Sequence, residues 1–178
     1  LPDGCPRQTL DGGLITPGFV DLQVNGGGGV MFNDDQSVAT LRKIADAHAT
    51  TGTCVLLPTL ITDTPARTQA AIDAVGAAIA EGVSGIIGIH LEGPHLSVAR
   101  KGAHDPDLIR PMSDEDLSLM LHAAESLANV MVTVAPENTT NAQIKTMADA
   151  GIIVSLGHTD ANAATCHAAF DAGAGCVT

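Results

Sequence analysis

The sequence predicts an α/β fold, a parallel sheet covered by helices of the kind found in a (β/α)8 barrel. Three observations predict it. Short apolar runs alternate with longer amphipathic or alanine-rich segments, the signature of repeated β-α units. The apolar runs lack a polar face, as strands covered on both sides do. Polar residues gather where those runs end: Gln23 and Asn25, Thr59 and Thr62, His90 and Glu92, Glu137, Ser155 and His158. Chemistry collects at that end of the strands both in barrels and in open doubly wound sheets. No G-x-G-x-x-G or phosphate-loop motif opens a helix, which counts against the nucleotide-binding open sheets.

The elements follow in order. Residues 18–25 read as a strand and the more polar residues 37–50 as a helix. Residues 54–61 form a second apolar strand, and residues 65–81 an alanine-rich helix with Ile72, Val75 and Ile79 at helical spacing. Residues 86–92 make the third strand. Residues 113–128 make a helix with Ser113 at the cap and Asp114, Glu115 and Asp116 in the first turn, where they suit the helix dipole. Residues 130–135 are a fourth strand, 140–150 a helix stopped by Gly151, and 152–156 a fifth strand. Residues 160–172 form a helix closed by Gly173, and residues 175–178 start a sixth strand.

Hydrophobic residues make up 45% of the 178 and charged ones 16%, so the chain can bury a core. Phe19, Phe32 and Phe170 are its only aromatics besides histidine, so aliphatic side chains must fill that core. A net charge of -12 argues against nucleic acid or an anionic membrane as partner. No stretch approaches the roughly 20 apolar residues that span a bilayer. Leu1-Pro2-Asp3-Gly4 does not resemble a signal peptide, and Cys5, Cys54, Cys166 and Cys176 show no C-x-x-C spacing. A cytoplasmic protein with reduced thiols is therefore expected.

Glu92 is the most informative residue. A carboxylate at the end of a buried strand needs a partner, a metal or a proton. His158 ends another strand. Glu, His and one further ligand suit a divalent ion such as Zn²⁺ or Fe²⁺. The alternative is a lysine or arginine beside Glu92, with His158 capping the next helix. Gly93 would let a ligand approach the backbone and meet its N–H. His90 shares the face of Glu92, as an interior histidine or as support for the carboxylate. On its residues alone His104 reads as a solvent-exposed loop histidine. His48, His122 and His167 fall on helices and read as solvated. The glycines at 26–29 read as a flexible turn, and Arg100 and Lys101 as a solvated loop.

A resemblance sharpens this. Residues 13–26, Gly-Leu-Ile-Thr-Pro-Gly-Phe-Val-Asp-Leu-Gln-Val-Asn-Gly, resemble the strand-one signature of the amidohydrolase superfamily. Five further segments extend the likeness: residues 57–62, His90-Leu91-Glu92-Gly93-Pro94, Lys101-Gly102-Ala103-His104, Val134-Ala135-Pro136-Glu137 and Ser155-Leu156-Gly157-His158-Thr159. Taken together, in this order and over nearly the whole chain, they are similar to the N-acetylglucosamine-6-phosphate deacetylase family of that superfamily.

The resemblance implies a (β/α)8 barrel of the metal-dependent amidohydrolase kind, represented by roughly its first five β/α units. It implies hydrolysis of the acetamide of a phosphorylated amino sugar at one divalent ion, Zn²⁺ first and Fe²⁺ or another divalent ion as the alternative; a related single-metal amidohydrolase acting on another N-acyl compound is the second reading. Most superfamily members carry H-x-H on strand one; Gln23-Val24-Asn25 stands here, and amides are poor zinc ligands, so a single ion is implied. Glu92 and His158 become two of three protein ligands, with Gln23 a possible contact of the metal's water. His104 becomes a catalytic, substrate-facing group. The third ligand, a histidine, and a general-base aspartate would lie beyond Thr178. A barrel needs about 250 residues. The sequence is thus expected to be part of a longer chain, residues 1–16 linking a small β-domain to the barrel and 17–178 forming its N-terminal part. The 178 residues alone are expected to be inactive, and the whole protein to form a homodimer or larger homo-oligomer.

Overall fold

A computed structural model describes residues 3–6 and 8–178. Leu1, Pro2 and Arg7 of the expected linker lie outside the described residues. One sheet contains β1 (Phe19–Val24), β4 (Thr53–Ile61), β5 (Ile89–Glu92), β6 (Val130–Val134), β7 (Ile153–Leu156) and β8 (Cys176–Val177), in that order. All five neighbouring pairs are parallel. An open doubly wound sheet reverses its strand order at a switch point. No reversal occurs in this sheet, so the architecture is a partial (β/α)8 barrel. Helices α1 (Val38–Ala49), α2 (Pro65–Ala80), α3 (Asp114–Ser126), α4 (Asn141–Asp149) and α5 (Ala163–Asp171) connect the strands.

The two-residue period of a strand sorts the side chains. On β5, Ile89 and Leu91 join the apolar core, and so do Val130, Val132 and Val134 of β6 and Val154 and Leu156 of β7. The helices meet them with Leu41, Ile44, Ile72, Val75, Met120, Ile144 and Met147. The alternate residues, His90, Glu92, Thr133 and Ser155, turn to the other face and are buried there. The same alternation that builds the core therefore concentrates polar groups on the concave side.

Each helix starts at a side-chain cap, from Ser37, Thr64, Ser113, Thr140 and Asn162. Such a cap stabilises a helix by about 1 kcal/mol. Ser113 and Asp116 form a reciprocal capping box, as the acidic first turn suggests.

Four local readings differ from the structure. Strand β5 begins at Ile89, not 86, because Asn129 bonds across the edge: its Nδ2 donates to Ile87 O at 2.8 Å and its carbonyl accepts from Ile89 N at 3.0 Å. Helix α5 begins at Ala163, not 160, because Asn162 is the cap. Residues 26–31 are not a flexible turn but a hairpin of β2 (Gly26–Gly27) and β3 (Val30–Met31), turned by Gly28 and Gly29 at φ 60° and 82°. Ile79 is 39% exposed, the stripe of α2 running instead through Ala71, Ile72, Val75 and Ala78. Among the described residues no helix is long and apolar enough to cross a membrane.

Candidate metal centre

Glu92 closes β5, and its carboxylate lies in an open cleft of roughly 350 Å³ on the concave face. Gln23, Asn25, His104 and His158 share that cleft with Met31, Ile61 and Ala103. The volume suits a small molecule. Glu92 is only 3% exposed, yet both its oxygens have neighbours. Oε2 accepts from Gln23 Nε2 at 3.1 Å, and Oε1 lies 3.1 Å from His158 Nε2. His104 Nε2 is 3.9 Å from Oε2. Single ligand atoms from Glu92, His104 and His158 all lie within 4.8 Å of one another.

Hydrogen bonding assigns the tautomers. Nδ1 of His158 lies 2.8 Å from Arg100 O, which can only accept, so Nδ1 carries the proton. In its neutral form His158 would turn the Nε2 lone pair toward the Glu92 carboxylate. Two acceptors at 3.1 Å repel unless a positive charge joins them, either a proton or a metal ion. A backbone carbonyl on the distal nitrogen is also the usual way in which a metal-binding histidine is oriented. The donor set therefore fits a divalent cation. The competing arrangement does not occur: among the described residues no lysine or arginine pairs with Glu92, and Asn162, not His158, caps α5.

His104 is wired the opposite way. Its Nδ1 lies 3.3 Å from Thr62 N and 2.7 Å from Thr62 Oγ1. A backbone N–H can only donate, so Nδ1 accepts and Nε2 carries the proton on the side of the cleft. His104 is 4% exposed, which corrects its reading as a solvent-exposed loop residue. Burial, reinforced by the nearby His158, pushes its pKa down to about 4, so it is a neutral N–H donor near neutral pH. Its ring meets that of His158 edge-on, with centroids 4.6 Å apart.

One expectation for the site needs correction. Gly93 does not offer its N–H to the cleft; that group donates to Thr133 O at 3.1 Å. The glycine is required for a different reason. Its φ is 85°, and a Cβ there would overlap Thr62 Oγ1 and crowd Leu96. Gly93→Ala should therefore destabilise the protein by about 1–3 kcal/mol and disturb His104 through Thr62, a change that thermal melting reads directly. Gln23 lines the same cleft, and its Nε2 donates to the Glu92 carboxylate that it helps to hold.

The remaining histidines divide. His90 lies fully buried between Thr59 Oγ1 at 3.3 Å and Thr133 Oγ1 at 2.7 Å, an interior hydrogen-bonded residue. His48 is not merely solvated: its Nε2 lies 3.0 Å from Gly26 O and ties α1 to the hairpin. His122 and His167 are exposed. Thr62 and Glu137 stand in the sequence as polar residues at strand ends, within the segments that carry the resemblance, and neither has a role assigned there. Their partners His104 and Thr159 are 42 and 22 residues away, a distance no local pattern bridges.

Residues 14–178 match the family model for the amidohydrolase family. The chain belongs to the amidohydrolase family. Within it, the chain is 46% identical over 169 residues to an N-acetylgalactosamine-6-phosphate deacetylase of Shewanella sp. (strain ANA-3), covering 95% of this chain and 42% of that protein. It is 36% identical over 174 residues to an N-acetylglucosamine-6-phosphate deacetylase of Haemophilus influenzae, covering 98% of this chain and 45% of that protein. The crystal structure of N-acetylglucosamine-6-phosphate deacetylase from Pasteurella multocida superposes with a TM-score of 0.89 at 36% identity, over 99% of this chain and 46% of that one. This amidohydrolase chain thus spans under half the length of the relatives it matches. The superposition extends over 99% of this chain, which spans Glu92 at the end of β5 and His158 in the turn after β7.

Proposed function

We propose that this amidohydrolase chain belongs to an N-acetylglucosamine-6-phosphate deacetylase, which hydrolyses the acetamide to give glucosamine 6-phosphate and acetate. The observation that carries the proposal is the 3.1 Å approach of His158 Nε2 to Glu92 Oε1 in the cleft, with a neutral N–H donor on His104 beside them. One set suits a cation and the other suits an oxyanion. The similarity to sugar-phosphate deacetylases supplies the substrate class.

In this reading Glu92 and His158 hold one divalent ion, Zn²⁺ first and Fe²⁺ as the alternative. Bound there, such an ion supplies Lewis acidity and makes a water more acidic. His104 donates from Nε2 to the acetamide oxygen. Its bond strengthens as that oxygen gains negative charge, which favours the transition state over the ground state. Gln23 keeps the Glu92 carboxylate turned toward His158. Overall, water adds O–H to the carbonyl carbon, the C–N bond breaks and the amine takes the remaining proton. The reading takes a third ligand and a general-base carboxylate from outside these 178 residues. Residues 17–178 would then be the N-terminal part of the barrel and 1–16 a linker, in a cytoplasmic homo-oligomer.

Acetate release by the zinc-loaded full-length protein tests the proposal. N-acetylglucosamine 6-phosphate should give the highest kcat/KM in a panel of N-acyl compounds. Turnover of another N-acyl compound, with none of either sugar phosphate, would overturn it. The 46% identity to a galactosamine-specific name favours a second reading, the 4-epimer as preferred substrate. The ratio of kcat/KM for the two epimers decides between them.

A further inference from the structure

His158 is held in a conformation that a non-glycine residue seldom adopts. Its φ is +48°, in the left-handed region. Such a conformation persists only where surrounding contacts enforce it. On the side away from Glu92, two hydrogen bonds hold His158: Ser97 N donates to its carbonyl at 2.9 Å, and its Nδ1 donates to Arg100 O at 2.8 Å. The next two residues are held by Glu137, in the turn after β6. Glu137 Oε2 accepts from Thr159 Oγ1 at 2.5 Å, and Oε1 accepts from Asp160 N at 2.8 Å. Asp160 in turn pairs with Arg100, its Oδ1 lying 2.8 Å from both Nε and a terminal nitrogen. The loops after β5, β6 and β7 are thereby closed into a ring around His158.

We propose that Glu137 is a positioning residue, which acts through Thr159 and Asp160 to hold the backbone that aims His158 Nε2 at Glu92. This rests on the reading of Glu92 and His158 as metal ligands. Glu137 does not touch the cleft, and its bonds serve neither its own strand nor a helix cap. They fasten residues 159 and 160, which the late start of α5 leaves outside the helix. The Arg100–Asp160 pair is too exposed, at 62% and 53%, to do this alone. An anion that receives a backbone N–H and a hydroxyl makes the stronger, charge-assisted contacts.

Zinc affinity, measured on the full-length protein by competition with a chelator, tests the assignment. Supporting partners of metal ligands typically alter affinity by about 10–100-fold. Glu137→Ala should weaken zinc binding about tenfold, with the melting temperature of the metal-free protein nearly unchanged. Glu137→Gln keeps one acceptor oxygen and should weaken it less. If Glu137→Ala does not fold, Glu137→Gln decides by the same measurement. Wild-type zinc affinity in the folded Glu137 variant, alongside loss of zinc in Glu92→Gln, would overturn the positioning role and leave the metal site standing. Undiminished zinc binding in Glu92→Gln would instead remove the metal reading, and this inference with it.

Discussion

Glu92→Gln should strip the metal and the activity together while leaving the metal-free fold intact. The replacement keeps shape and size but removes the negative charge, and a neutral amide oxygen is a poor ligand for zinc. Loss of a direct ligand should exceed the roughly 10–100-fold cost of losing a supporting partner. The fold should tolerate the change because the amide satisfies the same neighbours. Its oxygen accepts from Gln23, and its N–H₂ can donate to His158 Nε2, which lies 3.1 Å from a carboxylate oxygen. It also removes a buried charge, which costs free energy to keep dry. The metal-free variant should therefore melt at or above the wild-type temperature. Metal content and melting temperature, measured on one preparation, separate this outcome from simple unfolding.

Acid should destabilise the protein well before its carboxylates protonate. Burial pushes the pKa of His90 down from 6.5 to about 4, a backbone hydrogen bond opposing it only in part. Burial lowers that of His95 as well; its Nδ1 faces Arg110 O at 3.1 Å and its Nε2 has no partner among the described residues. In the unfolded chain both imidazoles take up a proton near 6.5, whereas in the folded chain they resist it. The unfolded state thus binds more protons between 6.5 and about 4, and stability falls with pH across that window. Above 6.5 the contribution is fully present. For His90 alone the difference between 6.5 and about 4 corresponds to about 3 kcal/mol. Urea midpoints at a series of pH values check this. His90→Gln should flatten the profile, and a variant profile parallel to the wild type would refute the assignment.

The repeating units were legible because each rests on a local pattern. Apolar runs, the cap Ser113, and the stops at Gly151 and Gly173 are short-range signals, and they place the helices to within a few residues. The hairpin at residues 26–31 was not legible, since strands of two residues rich in glycine have no periodicity to detect. In the site, Glu92 announced itself because a carboxylate after Ile89 and Leu91 has few physical excuses. His158 followed from its matching place at a strand end. The tautomers did not follow, because they depend on Arg100 O and Thr62 N, which lie 58 and 42 residues from their imidazoles. Gly93 shows the limit most clearly. Its glycine was rightly singled out, but the atom that demands it is a threonine hydroxyl rather than a ligand.

Anomalous diffraction at the zinc absorption edge, from crystals of the zinc-loaded full-length protein, tests the metal centre most directly. One ion should appear bonded to a Glu92 carboxylate oxygen and to His158 Nε2, at about 2.0–2.2 Å from each. His104 should lie near that ion without coordinating it, since Thr62 N–H occupies its Nδ1 and its Nε2 bears the proton. An anomalous peak elsewhere, or Glu92 and His158 still in direct contact in a protein that hydrolyses its substrate, would contradict the assignment.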